Sequence, residues 1–168
     1  LDEPIGKLLP DLAAPQVLEG FDASGEPELR PAKKPITLRH LMTHTAGYCY
    51  DVWNGDMGKY QEKTGIPNIF SCQNAALKGP IMSDPGTRWE YGINIDFVGK
   101  AVEAVSGKKL DVYLRDNMFA PLGMNDTHYV DSSGLSSRNV ASARDLAKLV
   151  KAASNQPILR EYSTAEKA

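Results

Sequence analysis

Short extended runs separated by a turn-forming segment open the hydrophobic pattern of the chain. Residues 16–21 and 27–30 flank Asp22-Ala23-Ser24-Gly25-Glu26, which contains a glycine and two side chains that favour turns. Two extended runs around such a segment predict a β-hairpin near the N-terminus.

A helical pattern follows Pro35. Leu38, Leu41 and Met42 recur at helical spacing, and Thr37 stands where an N-cap is expected. We predict a helix that runs to about residue 44 and is terminated by residues 45–47, with Gly47 as its C-cap. Residues 48–88 show no sustained period and predict a long irregular excursion with short helical pieces.

A second amphipathic helix is predicted after the turn at Asp84-Pro85-Gly86. It ends before Gly107, and its spacing indicates a buried face. The residues of that face are Phe97, Val98, Ala101, Val102 and Val105.

Two further helices complete the pattern. One covers Leu110–Phe119 and is closed by residues 121–123, and the last begins near Ser142, which has capping-box spacing to Asp145. Its apolar stripe is formed by Leu146, Leu149 and Val150. Four helices and one hairpin predict a helix-rich domain of the α or α+β class.

The composition excludes several classes of function. The 168 residues fit one ordinary domain, and a formal charge of −2 indicates neither a nucleic-acid partner nor a polybasic membrane anchor. No apolar run approaches the roughly 20 residues of a transmembrane segment. Cys49 and Cys72 lack CxxC spacing, which favours two unpaired thiols, although a disulfide stays open.

His40 and His44 are four residues apart, so a helix would place them on one face. This is a metal-ligand spacing, but a zincin would need Glu where Leu41 stands, and no third ligand is apparent nearby. We therefore predict that no metal binds here, that one histidine caps or bridges loops, and that the other packs. A metal hydrolase is the weakest of the functional hypotheses.

Two short motifs of serine enzymes occur in unfavourable places. Lys63-Thr64-Gly65 lies in the irregular excursion ahead of Pro67, where we interpret it as coincidental. Ser106-Gly107-Lys108-Lys109 is a formal Ser-x-x-Lys, but it lies at a predicted helix end, so the amine is not held over the hydroxyl. No Gly-x-Ser-x-Gly elbow is present.

Three blocks of the chain carry a family resemblance, in the family's order. Residues 36–47 resemble the block ITLRHLLTHTSG of beta-lactamase-related serine esterases, the family of class C beta-lactamases, related carboxylesterases and fungal acyltransferases. Residues 84–92, continued by 98–99 and 105–108, resemble the family's tyrosine block, and residues 121–127 resemble its closing PLGM.DT. The resemblance covers roughly residues 1–130 and implies that the chain is a helix-rich α+β fragment of the beta-lactamase/transpeptidase-like fold.

The resemblance implies that Tyr91 is the catalytic tyrosine. The lactamases have Asn two residues later, where this chain has Ile93, which favours ester or acyl-transfer chemistry over efficient beta-lactam hydrolysis. Asn94, Tyr48 and Trp53 are the candidate substrate-binding residues.

The resemblance further implies an acyl-enzyme mechanism on a small ester, amide or beta-lactam, with no metal and no organic cofactor. The opening residues 1–5 resemble the stretch just after the family's nucleophile helix, so we expect the Ser-x-x-Lys before residue 1 and the late KTG or HxG strand after the last matching block. The chain is then an enzyme fragment that is inactive alone. The alternative is a truncated, fused or artificial chain that only folds or binds.

The tail, residues 127–168, resembles D-alanyl-D-alanine endopeptidases of the penicillin-binding group, so we divide the chain into a core at 1–130 and a helical tail at 131–168. In those relatives Gly134-Leu135 matches a turn before a helix. Ser137-Arg138-Asn139 spells Ser-x-Asn, but this position disfavours a catalytic role. The resemblance implies a bacterial protein, with cytoplasm and periplasm both open.

Overall fold

The predicted hairpin is present in the computed structural model, which describes residues 1–130 and 136–163 and, of Tyr162, the backbone only. Strand β1 (Gln16–Phe21) pairs antiparallel with β2 (Pro27–Pro31). The turn is held by Asp22, whose Oδ1 accepts hydrogen bonds from the backbone N–H groups of Ser24 (2.8 Å) and Glu26 (2.9 Å). The turn chemistry expected from the sequence therefore closes the hairpin.

Helix α1 (Leu38–Met42) begins at the predicted cap but is shorter than predicted. Thr37 Oγ1 accepts from the backbone N–H of His40, and His40 Nδ1 accepts in return from the backbone N–H of Thr37, which forms a capping box. The helix ends at Met42, so the predicted extent to residue 44 and the predicted C-cap at Gly47 are wrong.

The excursion over 48–88 contains a ten-residue helix, longer than the short pieces predicted. Helix α2 (Gly55–Thr64) is capped by Asn54, whose side chain accepts from two backbone N–H groups of the first turn, and it ends at left-handed Gly65. Lys63-Thr64-Gly65 therefore forms the end of a helix and not part of a strand. Short 3-10 helices follow at Ile69–Ser71 and Asn74–Lys78, and two more precede β1 at Ile5–Lys7 and Pro10–Leu12.

Helix α3 (Asn94–Ser106) packs against α1 and ends at Gly107, as predicted. Phe97 and Ala101 are buried in the core, together with residues of β1 and α1. Val105, predicted to lie on the buried face, is 75% exposed. The helical period identified the right face, but that face becomes exposed at its last turn.

A second compact unit comprises Lys108–Ala168. In it α4 (Leu110–Leu114) continues as a π-helical segment (Arg115–Phe119), matching the predicted helical extent. Helix α5 (Ala143–Ser154) and a helix not predicted, α6 (Pro157–Ser163), follow. The division of the chain into residues 1–130 and 131–168 was predicted from the family resemblance, and it stays a prediction.

Ser142 caps α5 by accepting from the backbone N–H of Asp145. The second hydrogen bond of a capping box, from the backbone N–H of Ser142 to the side chain of Asp145, is replaced by bonds to another segment. The buried Asp145 carboxylate accepts from the backbone N–H of Asp126 (2.8 Å) and from the hydroxyl of Thr127 (3.0 Å). Of the predicted apolar stripe, Leu146 and Val150 are exposed.

The Ser-x-Asn triplet lies in an irregular segment of this unit. Asn139 Oδ1 accepts from the backbone N–H of Val130 (2.8 Å), and Ser136 Oγ accepts from that of Arg138 (3.2 Å). These are local structural bonds. The predicted turn at Gly134-Leu135 lies outside the described residues.

Two expectations from composition can be compared with the fold. Cys49 is buried and Cys72 exposed, and both are free thiols, as favoured. Burial raises the pKa of Cys49 to about 12. Within residues 1–130 and 136–163, no helix has the length and apolarity needed to cross a bilayer.

Candidate active site

The segment that carries Tyr91 is joined by backbone hydrogen bonds to the segment that follows α1. Gly86 donates to the carbonyl of Thr45 (2.7 Å), Glu90 to that of His44 (2.8 Å), and Met82 to that of Gly47 (2.7 Å). These bonds span residues 82–90 on one side and 44–47 on the other. The loop that leads to Tyr91 is therefore fixed along its whole length.

Two glycines permit this close approach. A Cβ on Gly92 would lie 2.5 Å from Cys49 Cα and 2.6 Å from both Cys49 N and Tyr48 O. A Cβ on Gly47, whose φ is 98°, would lie 2.3 Å from Ser83 O. Since every one of these contacts is to backbone, only glycine fits at either position.

The turn at Asp84 is tied to the hairpin by charge. Its carboxylate accepts two hydrogen bonds from the guanidinium of Arg30 (3.0 and 2.9 Å) and one from the backbone N–H of Lys33 (2.8 Å). These donors lower the pKa of Asp84 to about 2. The turn that precedes Tyr91 thus has a fixed position as well as a fixed shape.

Tyr91 itself is half-exposed, with 47% of its surface accessible, and it is surrounded by other aromatic rings. Its ring centroid lies 4.8 Å from that of His44, 5.4 Å from that of Tyr50 in an edge-on arrangement, and 6.3 Å from that of Trp89 in a stacked one. A phenol in this position is held by its ring and still reachable from solvent.

Asn94, at the start of α3, lies directly beneath this cluster and is fully buried. Its Nδ2 is 3.1 Å from His44 Nδ1 and 3.4 Å from the carbonyl oxygens of Tyr48 and Glu90. Its Oδ1 is buried and has no partner among the described residues. The amide nitrogen is therefore occupied by contacts within the protein.

An open groove passes beside Tyr91. Glu90 lines it and accepts hydrogen bonds from Asn54 Nδ2 (3.1 Å) and from the Arg88 guanidinium (2.6 and 3.0 Å). Its aromatic walls are Trp53 and Trp89, whose side chains are largely exposed. Such a groove offers a small molecule aromatic contact area and a charged pair at the position where Tyr91 is reachable.

The structure brings together only some of the residues predicted from the sequence. Tyr91 and Trp53 line the same groove, whereas Asn94 and Tyr48 lie in the interior. Tyr48 packs on Phe97 with ring centroids 4.9 Å apart, and burial raises the pKa of its hydroxyl. The substrate-binding roles of Asn94, Tyr48 and Trp53 stay predictions.

Sequence reasoning missed the other residues of the cluster. Trp89 belongs to the block that resembles the family's tyrosine block, and Tyr50 lies between the candidates Tyr48 and Trp53, but neither was assigned a role in the site. His44 was expected to cap, bridge loops or pack, but not to lie against Tyr91. The spacing of Trp89 and Tyr91, two residues apart after a turn, was the one available signal that both face the same side.

The two histidines do not share a helix face. His40 belongs to the capping box of α1, whereas His44 lies beyond the helix with a left-handed φ of 55°. One histidine caps and the other packs, as predicted. No group of three His, Cys, Asp or Glu side chains in the described ranges is arranged to hold a metal ion.

The formal Ser-x-x-Lys also loses its helical geometry. Ser106 is the last residue of α3, and Gly107 follows with a left-handed φ of 67°. The chain leaves the helix before it reaches Lys109, so the turn that would place an amine over the hydroxyl is not continued.

Comparison with known proteins agrees with the resemblance described above. The sequence profile of the family described as Beta-lactamase matches residues 1–168. Acyltransferase mokF of Monascus pilosus is 45% identical over 128 residues, which are 75% of this chain and 31% of the relative. Lovastatin esterase of Penicillium rubens is 32% identical over 131 residues, which are 77% of this chain and 33% of the relative.

Solved structures agree as well. Unliganded simvastatin synthase from Aspergillus terreus superposes with a TM-score of 0.70 and 39% identity over 88% of this chain and 36% of that one. The chain thus spans about a third of the length of these relatives. Since these relatives are fungal, the comparisons do not support a bacterial source.

Proposed function

The chain belongs to the beta-lactamase family, and we propose that it is the part of a serine esterase or acyltransferase that contributes the catalytic tyrosine, Tyr91. The observation that carries the proposal is the combination of a half-exposed phenol with a backbone held by hydrogen bonds and close glycine contacts. A general base must be reachable by the substrate and fixed relative to it, and Tyr91 meets both conditions.

The proposed chemistry is acyl transfer through a serine. Tyr91 removes the proton as the serine Oγ attacks the acyl carbon, and the proton passes to the oxygen of the departing alcohol. Water or a second alcohol then attacks the acyl-enzyme with the same proton transfers in reverse order. A phenol has an ordinary pKa of about 10, so the base needs a neighbouring cation to favour phenolate, the role that the family resemblance assigns to the lysine of Ser-x-x-Lys.

The serine and lysine are assigned to the part of the protein that the relatives have and this chain does not span. The end of α3 supports this assignment, because the helix stops at Ser106 and does not carry Lys109 over the hydroxyl.

Ester chemistry is favoured over beta-lactam hydrolysis by the residue two positions after Tyr91. Lactamases of the family have Asn there, whereas Ile93 is apolar and buried. A beta-lactam carbonyl therefore has no side-chain amide at this position. The exposed aromatic walls of the groove suit an apolar acyl group.

A hybrid enzyme tests the proposal. The 128-residue segment of the Monascus pilosus acyltransferase that matches this chain is replaced by the corresponding segment of this chain. We expect the hybrid to hydrolyse p-nitrophenyl butyrate, and we expect Tyr91→Phe to lower kcat by about 10²–10⁴ with KM and melting temperature nearly unchanged.

Tyr113→Phe is the matched control, because this half-buried tyrosine does not line the groove and the hydrogen bond from Asn117 Nδ2 goes to its backbone carbonyl, which the substitution keeps. We expect it to retain normal kcat. A Tyr91→Phe hybrid that keeps most of its kcat removes Tyr91 from the mechanism and favours a module that only folds or binds.

A further inference from the structure

We propose that His44 is a positioning residue for Tyr91: Asn94 holds its ring neutral and in one orientation, and that ring packs against Tyr91 to fix the direction of the phenol. The catalytic half of this inference depends on the proposed function, whereas its structural half can be measured in the chain itself.

The orientation of the Asn94 amide is set by its surroundings. The carbonyl oxygens of Tyr48 and Glu90 both lie 3.4 Å from Nδ2, and a carbonyl oxygen only accepts hydrogen bonds. A flipped amide would place its own oxygen against both. The observed orientation avoids this repulsion, although it leaves Oδ1 buried without a partner among the described residues.

This orientation determines the tautomer of His44. Its Nδ1 faces the NH₂ group of Asn94 at 3.1 Å, so Nδ1 must accept and the ring proton must reside on Nε2. A second proton on Nδ1 would face the same donor. Burial also lowers the pKa of His44, so both effects keep the imidazole uncharged at neutral pH.

The backbone of His44 is held as firmly as its ring. Its carbonyl accepts from the N–H of Glu90 at 2.8 Å, directly before Tyr91, and its φ of 55° lies in the left-handed region that costs a non-glycine residue energy. This conformation directs the ring to within 4.8 Å of the Tyr91 ring at an interplanar angle of 41°.

The arrangement supplies orientation without charge. An imidazolium beside Tyr91 would favour the phenolate by attraction, whereas a neutral ring only limits the rotation and tilt of the phenol ring. Reaction rates respond steeply to such limits, because misplacement of a reacting group by about 1 Å costs on the order of 10² in rate.

The structural half is tested by ¹⁵N NMR of the histidine rings in the purified chain at pH 7. The His44 signals are identified by their loss in His44→Asn. We expect a neutral ring protonated on Nε2, and we expect Asn94→Leu, which removes the donor, to allow the other tautomer to appear. A His44 ring that is protonated on Nδ1 or is charged in the unsubstituted chain overturns the inference.

The catalytic half compares two substitutions in the hybrid enzyme. His44→Asn keeps a hydrogen-bond acceptor and suits the left-handed backbone, but it loses the ring. His44→Phe keeps a ring but loses the acceptor and suits that backbone poorly. We expect His44→Asn to be the more stable variant and yet to lose about 10–100-fold in kcat, with KM within about twofold, whereas His44→Phe loses less kcat.

If His44 positions Tyr91, the more stable of the two variants has the lower kcat. If its role is purely structural, the more stable variant has the higher kcat. If kcat follows stability in the two variants, the inference fails. If Tyr91→Phe leaves kcat of the hybrid unchanged, the proposed function fails instead, and the NMR result still shows whether Asn94 sets the state of His44.

Discussion

Substitution of Gly92 by alanine probes the contact that fixes Tyr91 most directly. The new Cβ would lie 2.5 Å from Cys49 Cα and 2.6 Å from Cys49 N and Tyr48 O, whereas carbon atoms in ordinary contact are about 3.5–4.0 Å apart. All three atoms belong to backbone, so no side chain can rotate away. One of the two segments must move by about 1 Å.

Such overpacking lowers the free energy of unfolding by about 1–3 kcal/mol. Because none of the three contacted atoms belongs to a flexible side chain, we expect a loss near the upper end of that range. Alanine also stiffens the unfolded chain, which returns about 0.4–1 kcal/mol if the backbone conformation suits it. A net loss of about 2 kcal/mol remains. With a urea m-value of about 2 kcal/mol per molar, the unfolding midpoint should fall by about 1 M.

Gly58→Ala is the matched control. Gly58 lies within α2, and a Cβ there would meet nothing within 4 Å. Alanine is a better helix former than glycine by about 1 kcal/mol, so the midpoint should rise by up to about 0.5 M. The same chemical change then shifts stability in opposite directions at the two positions.

Tryptophan fluorescence is a suitable assay, because both tryptophans of the chain, Trp53 and Trp89, belong to the unit Leu1–Gly107 that contains both glycines. The signal therefore reports the unfolding of that unit. A Gly92→Ala chain with a midpoint equal to or above that of the unsubstituted chain would refute the close-approach argument.

Three further outcomes are expected. The chain alone should not hydrolyse p-nitrophenyl butyrate, because the helix ends at Ser106; clear turnover, whether or not Ser106→Ala abolishes it, would contradict this. The purified chain should contain no stoichiometric zinc, because His40 is used in a helix cap and His44 lies beyond the helix; elemental analysis that finds one zinc per chain would show a site that we have not recognised. Arg30 lowers the pKa of Asp84 from 3.8 to about 2, so the pair stabilises the fold above about pH 4 and loses its effect as the pH falls towards 2. Asp84→Asn should therefore lower the urea midpoint at pH 7, with a difference that shrinks near pH 2, and a difference independent of pH would count against the ion pair.

Turns and helix ends that are determined by residues close together in the sequence were predicted well. The Asp22 turn, the Thr37 cap and the stop at Gly107 are each formed by groups near one another in sequence, and each was found where it was expected. Their physical causes, a side-chain acceptor for free backbone N–H groups and a residue that accepts a left-handed conformation, act locally.

Predictions failed where the backbone is satisfied by a distant segment. The spacing of His40 and His44 suggested one helix face, but the carbonyls of His44, Thr45 and Gly47 bond to residues 82–90 and not to a next helical turn. A periodic pattern contains no information about such partners, so it extended the helix by two residues.

The length of helix α2 was underestimated for a different reason. Asn54 and Gly65 are good cap residues at its two ends, but Gly55 and Gly58 lower its helix propensity and its average hydrophobicity is low. Burial of Met57 and Tyr60 compensates, and that burial depends on the hairpin against which this part of the chain packs. Tertiary packing therefore determines that this helix forms, because its helix propensity alone does not.

The residues of the candidate site fall into two groups that sequence reasoning detects differently. Tyr91 was predicted because the block that contains it resembles the tyrosine block of a known family. The role of Gly92 was not predicted, because its contribution is the absence of a side chain, which matters only once a backbone segment more than forty residues away lies against it. The two groups should also respond differently to substitution. Tyr91→Phe removes one hydroxyl from a half-exposed ring, so it should change kcat and leave stability nearly intact, whereas Gly92→Ala adds one methyl where backbone already stands, so it should lower stability first. A catalytic phenol and the contact that aims it are then separable by experiment, although they are adjacent in sequence.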